Sequence, residues 1–96
     1  MHLIFLCSYE TDPNTQMLTM SITRRRVTGG PFDYSTAPQP GDVLLAKMDT
    51  GGKFDIGTSI KLTGEANKIE QQIIGELFDE MQFRDDHSDF TYEINT

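Results

Sequence analysis

The densest run of side chains able to hold a cation is Asp85-Asp86-His87-Ser88-Asp89. Three carboxylates and an imidazole suit magnesium, manganese or calcium. Read as a calcium loop from Asp85, however, the run has Phe90 where glycine is required. It has Thr96 where a bidentate glutamate is required. A solvated, charged loop is the expectation, with no metal and no cofactor. Cys7, the only cysteine, lies in the apolar stretch HLIFLCSY with no adjacent base to activate it. His2 and His87 are far apart and offer no acid–base pair. Gly51-Gly52-Lys53 lacks the upstream glycine and the following Ser or Thr of a phosphate loop. These residues imply a non-enzyme.

What stands out instead is charge. The 96 residues carry a net charge of −7, unevenly spread. Residues 1–64 hold six acids and six bases, whereas residues 65–96 hold nine acids and two bases. Direct binding to nucleic acid needs clustered Lys and Arg and is disfavoured. Arg24-Arg25-Arg26 is too small a cluster to change this. It reads either as a strand end kept soluble by charge or as a small cationic contact, for a partner or for the acidic tail.

The element that positions most of the acids is a helix predicted from Thr63 to Arg84. Ala66, Ile69, Ile73, Leu77 and Met81 recur three and four apart, flanked by Ile74 and Phe78. Thr63 is placed to cap its start, and Arg84 suits the dipole at its end. Its length comes to roughly 30 Å. Glu65, Gln72, Glu76 and Asp79 form an outward ridge with Glu80 beside it. Glu76 meets like charges at Asp79 and Glu80, partly offset by Glu65–Lys68 and Glu80–Arg84 pairs. Two residues break the pattern. Glu70 falls within the apolar stripe and needs a partner or a route to water. Gly75 marks either a close approach to the backbone or a tolerated defect.

Around the helix the chain reads as strands. His2–Tyr9 is a continuous apolar run, suited to a central strand buried on both sides. Gln16–Val27 alternates, with Leu18, Met20 and Ile22 on one face and Thr19, Ser21 and Thr23 on the other. Glu10–Thr15 joins them as a hairpin turn. Asp42–Met48 and Lys53–Leu62 form a second hairpin through Asp49-Thr50-Gly51-Gly52. Phe90, Tyr92 and Ile94 alternate in a last strand. Residues 29–41 form a long loop rich in Pro and Gly. Its Phe32 and Tyr34 either pin it to the core or present a contact. The expectation is a single α+β domain over residues 1–96. A four- to five-stranded, mostly antiparallel sheet, in the order β-β-β-β-α-β, carries one long amphipathic helix on one face. No run approaches a membrane span, and the apolar start lacks a basic leader region. A soluble, cytoplasmic protein is expected, with its oligomeric state left open.

Two resemblances bear on function. Asp49-Thr50-Gly51 after an apolar strand, with Ile73-Ile74-Gly75 later, resembles the paired elements of retropepsin-like aspartic proteases. The resemblance implies a homodimer whose two aspartates share a proton. Only 21 residues separate Gly51 from Ile73, too few for that family's flap, and Gly52 replaces its usual small residue. The second is a resemblance of type. A short, acidic, cysteine-poor, single-domain chain without a catalytic constellation resembles the small anti-defence proteins of phages and mobile elements, the anti-CRISPR proteins among them. It implies a binding inhibitor that imitates DNA, with Glu65, Glu76, Asp79, Glu80, Asp85, Asp86 and Asp89 meeting the basic, nucleic-acid-binding groove of a defence or nuclease complex in the host cytoplasm. An immunity protein that neutralises a cognate toxin has the same electrostatics.

Overall fold

The computed structural model describes residues 2–27, 35–50 and 60–95. The apolar run and the alternating run after it form strands β1 (His2–Thr11) and β2 (Leu18–Val27), paired antiparallel from His2 opposite Val27 to Thr11 opposite Leu18. Asp12 closes their turn. Its Oδ1 accepts the N–H groups of Asn14 and Thr15, while Gln16 takes the left-handed conformation at φ 62°. Strand β3 (Val43–Thr50) joins the other side of β2, and β4 (Lys61–Leu62) pairs with β3. Helix α1 (Lys68–Phe83) follows, and β5 (Phe90–Asn95) returns to pair with β1. The sheet is five-stranded and antiparallel, ordered β4-β3-β2-β1-β5. The element order is the one predicted, and the class is α+β.

Strand alternation divides the sheet into two faces. Phe5, Cys7, Met20, Ile22, Ala46 and Met48 face the helix, and Ile74, Leu77, Phe78 and Met81 close over them. Opposite β2, strand β3 carries one extra residue. Ile22 pairs with Ala46 and Thr23 with Leu44, and the bulged Leu45 between them is fully buried. Ile4 and Leu6, on the other face of β1, are buried too, as predicted for a central strand.

The consecutive arginines of β2 split between the faces. Arg24 points to the helix side, where its Nη1 lies 2.8 and 2.9 Å from the two carboxylate oxygens of Glu70. Arg25 points the other way. It donates to both carboxylate oxygens of Asp42 and to the carbonyls of Ser35 and Ala37, which gathers residues 35–42 against the sheet. Neither is a solubilising strand end or a surface contact, because β2 is the middle strand and both head groups are engaged inside the fold. The side chain of Arg26 lies outside the described residues.

The helix corrects the prediction at its start. It begins at Lys68, not Thr63, and its cap is Asn67. Asn67 Oδ1 accepts the Glu70 N–H at 2.8 Å, and Glu70 Oε1 accepts the Asn67 N–H at 3.0 Å, a reciprocal capping box. Thr63 cannot serve there. Its hydroxyl donates to the Leu44 carbonyl at the bulge, and Gly64 behind it adopts φ 93°. Sixteen residues give a helix of roughly 24 Å. Its buried stripe is Glu70, Ile74, Leu77, Phe78 and Met81, rotated from the predicted one by roughly half a residue step. Ile69, expected in the core, is therefore 71% exposed. Gly75 has open space where a Cβ would stand, so no close approach explains it. Asp49 and Thr50, expected in a turn, belong to β3. Gly51, Gly52 and most of the predicted fourth strand lie outside the described residues, as do Phe32 and Tyr34.

Two stability predictions follow from the arginines. Arg24→Met or Glu70→Met alone leaves a buried charge unpaired and should cost about 3–5 kcal/mol. The double variant R24M/E70M should recover most of that loss, short by about 1 kcal/mol for the missing half of the capping box. Urea unfolding of the four proteins measures the coupling, and additive losses would contradict it. On the other face, the hydrogen bond from Arg25 holds the Asp42 carboxyl below its ordinary value of 3.8, helped by the Gln39 N–H and opposed by burial. A carboxyl with a depressed folded value stabilises the protein above its unfolded value. That contribution disappears as pH falls through the folded one. Asp42→Asn should thus be less stable than wild type at neutral pH, with the gap closing below about pH 4. Urea midpoints across that range test it.

Candidate acidic interface

The outward face of α1 follows from its buried face. With Glu70 and Ile74 inward, the residues pointing away from the sheet recur as Ile69, Gln72, Glu76, Asp79 and Phe83, at alternating steps of three and four. Glu76, Asp79 and the neighbouring Glu80 are exposed, as predicted. Glu80 lies 3.9 Å from Arg84. Glu76 and Asp79 have no ion pair among the described residues.

Glu65 is exposed but stands before the helix. Its carbonyl accepts from Arg24 at 3.5 Å, and it makes no ion pair with Lys68 among the described residues. The helical acids therefore run only from Glu76 to Glu80, about 6 Å of rise, instead of the long ridge expected. The acidic surface resumes in the loop after the helix. Asp85, Asp86 and Asp89 are all exposed there. Asp86 Oδ1 accepts the Ser88 hydroxyl at 2.6 Å, and Asp89 Oδ1 accepts the Tyr9 N–H at 2.9 Å, tying the loop to β1. His87 stacks on the Tyr9 ring, with centroids 5.1 Å apart. Among the described residues, no three His, Cys, Asp or Glu side chains converge on a metal position.

Two residues that sequence reasoning did not assign to this surface bracket it. Ile69 is 71% and Phe83 is 86% exposed, one at each end of the outward row. The signal was available in the spacing, since both lie seven residues from Glu76. It was obscured because Ile69 also fits an apolar stripe roughly half a residue step round the helix.

Elsewhere the chemistry is quiet. Burial pushes the Cys7 thiol up to about 12, reinforced by the negative charge of Glu80, so it stays protonated. Burial also raises the Tyr9 phenol, whose hydroxyl donates to the Met81 carbonyl at 2.8 Å. Asp49 accepts the Thr19 hydroxyl at 2.8 Å and lies 3.8 Å from Lys61, as a strand residue between strand neighbours. Ile73-Ile74-Gly75, the second element resembling retropepsins, is helix interior. Among the described residues, no helix is long and apolar enough to cross a membrane.

The acidic row is kept at a cost to the helix. Removing one charge by Glu76→Gln relieves the repulsions with Asp79 and Glu80, each worth roughly 0.2–0.5 kcal/mol. Thermal unfolding should show the variant more stable than wild type at low salt, with the difference shrinking at about 1 M salt. A loss of stability would mean that Glu76 has a structural partner.

No protein-family model, curated protein or solved structure matches the chain.

Proposed function

We propose that this protein acts by binding. It is an inhibitor that sets the outward face of α1 and the loop 85–89 against a basic surface of another protein, one shaped to hold nucleic acid. The observation that carries the reading is the separation of charge. Arg24 and Arg25 are drawn into internal pairs with Glu70 and Asp42, while Glu76, Asp79 and Asp85 stay exposed with no ion pair among the described residues. Carboxylates so placed attract a Lys- or Arg-lined groove and compete there with phosphates. Ile69 and Phe83 add apolar contact at the ends of the acidic row, which a protein surface can use. The resemblance to small anti-defence proteins points to the same class of target, a nuclease or another complex that grips DNA or guide RNA.

The test is affinity capture from the source cell or its host at two salt concentrations. Wild type is compared with the triple variant E76K/D79K/E80K, with a long DNA duplex as competitor. The expected result is a nucleic-acid-binding protein retained at low salt, released by the duplex, and at least tenfold depleted on the triple variant. Circular dichroism should show the variant folded. Equal retention by both proteins at low salt would refute the reading.

A further inference from the structure

The sheet ends in β5, which pairs with β1 on one side and, among the described residues, with no strand on the other. In an antiparallel strand every second residue turns its N–H and C=O toward the outer edge, where they are open to another strand. Such edges are commonly blunted by Pro, by Lys, by a bulge or by brevity. None of these protects β5 (FTYEIN). It runs six residues in unbroken register, from Phe90 opposite Cys7 to Asn95 opposite His2.

The helix side of this edge is apolar. Tyr92 shares the face of Phe5 yet is 42% exposed, whereas Phe90 and Ile94 on either side of it pack on the core. Arg84 marks the flank of α1 that borders β5, since its guanidinium lies 4.0 Å from the Phe90 ring centroid. At about 100° per residue, Ile73 and Glu80 share that flank and the exposed Ile69 borders it. Glu70, next to Ile69, meets Arg24, and Arg24 and Tyr92 both pair with Phe5. The first turn of the helix therefore stands over the rung of the sheet that ends in Tyr92. A strand laid along β5 would cover Tyr92 and run beside Ile69. The charges around the edge are mainly acids: Asp89 at its start, Glu93 within it and Glu80 on the helix flank. Arg84, which stands among them, is engaged by Glu80 at 3.9 Å and by the Phe90 ring.

These features choose the occupant. The open edge calls for an extended chain, Tyr92 and Ile69 for apolar residues on its helix side, and the acids for basic residues. A second copy of this chain fails the last requirement, because residues 65–96 hold nine acids and two bases. We propose that β5 takes an extended, basic segment of the partner protein as a sixth strand of the sheet. Main-chain hydrogen bonds supply the affinity, and alternating apolar and basic side chains supply the selectivity. The inference deepens the binding reading above and rests on it. It gives the diffuse acidic surface a neighbouring contact with a defined geometry.

The test needs no partner. The acetylated, amidated hexapeptide Lys-Val-Lys-Val-Lys-Val is titrated into the intact protein while backbone amide NMR signals and their hydrogen exchange are followed. One control peptide has Glu in place of each Lys. The other carries N-methyl groups on its central amides, so it keeps the charge but cannot donate to a strand. Saturable shifts at Phe90–Asn95 and along the adjoining flank of α1 are expected, with Kd in roughly the millimolar range for so short a probe. The outward amides of β5 should exchange several-fold more slowly in the complex. Each control should bind at least fivefold more weakly, and Tyr92→Ser should weaken the lysine peptide several-fold. Equal binding by either control, no shifts at β5, or unchanged binding to the Tyr92 variant would overturn the proposal. So would a dimer in sedimentation whose outward β5 amides are already protected, because a second copy would then be the occupant. Failure here is separable from failure of the binding reading, since the capture comparison tests the acids of α1 and does not depend on strand pairing.

Discussion

The ion pair between Arg24 and Glu70 is the constraint on which the rest of the arrangement depends. Three successive arginines in the middle strand of a sheet cannot share a face, so strand geometry sends Arg24 into the side the helix must cover. A guanidinium there is tolerable only with a carboxylate against it. Glu70, 2% exposed, supplies that carboxylate from the third residue of the helix. With Glu70 turned inward, the rotation of the helix is settled. Ile74, Leu77, Phe78 and Met81 pack, and Ile69, Glu76, Asp79 and Phe83 are left outside. The pair thus specifies a phase as well as joining two elements. An apolar pair of similar size would pack, but it would not so strongly penalise a helix rotated by one residue.

The same glutamate starts the helix. Its carboxylate accepts the Asn67 N–H while Asn67 accepts its own, so the first turn is closed by the residue that meets Arg24. Rotation and beginning are therefore coupled through one side chain. Upstream, Thr63 binds the carbonyls freed at the Leu45 bulge, and Arg24 reaches the Glu65 carbonyl. The connection from β4 is thereby laid along the sheet. Local preference already separates the two caps, since Glu70 stands three residues after Asn67 and Ala66 three after Thr63, and the contacts of Thr63 with β3 add to it.

That contrast marks how far the sequence was legible. Strand alternation in β2, the apolar run of β1 and the order of elements follow from local periodicity, and all three hold in the structure. The helix as an element was legible, and so was Glu70 as its anomaly. Its partner was not, because the pairing spans 46 positions and depends on the face to which strand alternation assigns Arg24. The same holds for Arg25 and Asp42, read separately as a charged strand end and the first residue of a strand. Of the acidic surface, the exposed residues were legible, since any helix with this inner stripe turns Glu76 and Asp79 outward. The apolar ends of the row were not, because Ile69 fits two stripes a small rotation apart and only burial of Glu70 chooses between them.

A purely solubilising role would explain acidic residues on a helix, but it explains less of what surrounds them. Solubility is served as well by mixed charges, which also spare the helix its like-charge contacts. Here Arg24 and Arg25 are drawn into internal pairs, and the cations left on the described surface are few. Each internal pair also neutralises an acid, so pairing alone does not change the net charge. It changes where charge remains. Glu70 and Asp42 are neutralised in the interior, and the surplus falls on the outer row of α1 and the loop that follows it. Since Glu70 also sets the rotation of that row, one buried contact fixes both the position of the acidic surface and the apolar residues at its ends. A substitution in the core at Arg24 or Glu70 would therefore reshape the exterior face without touching any residue on it.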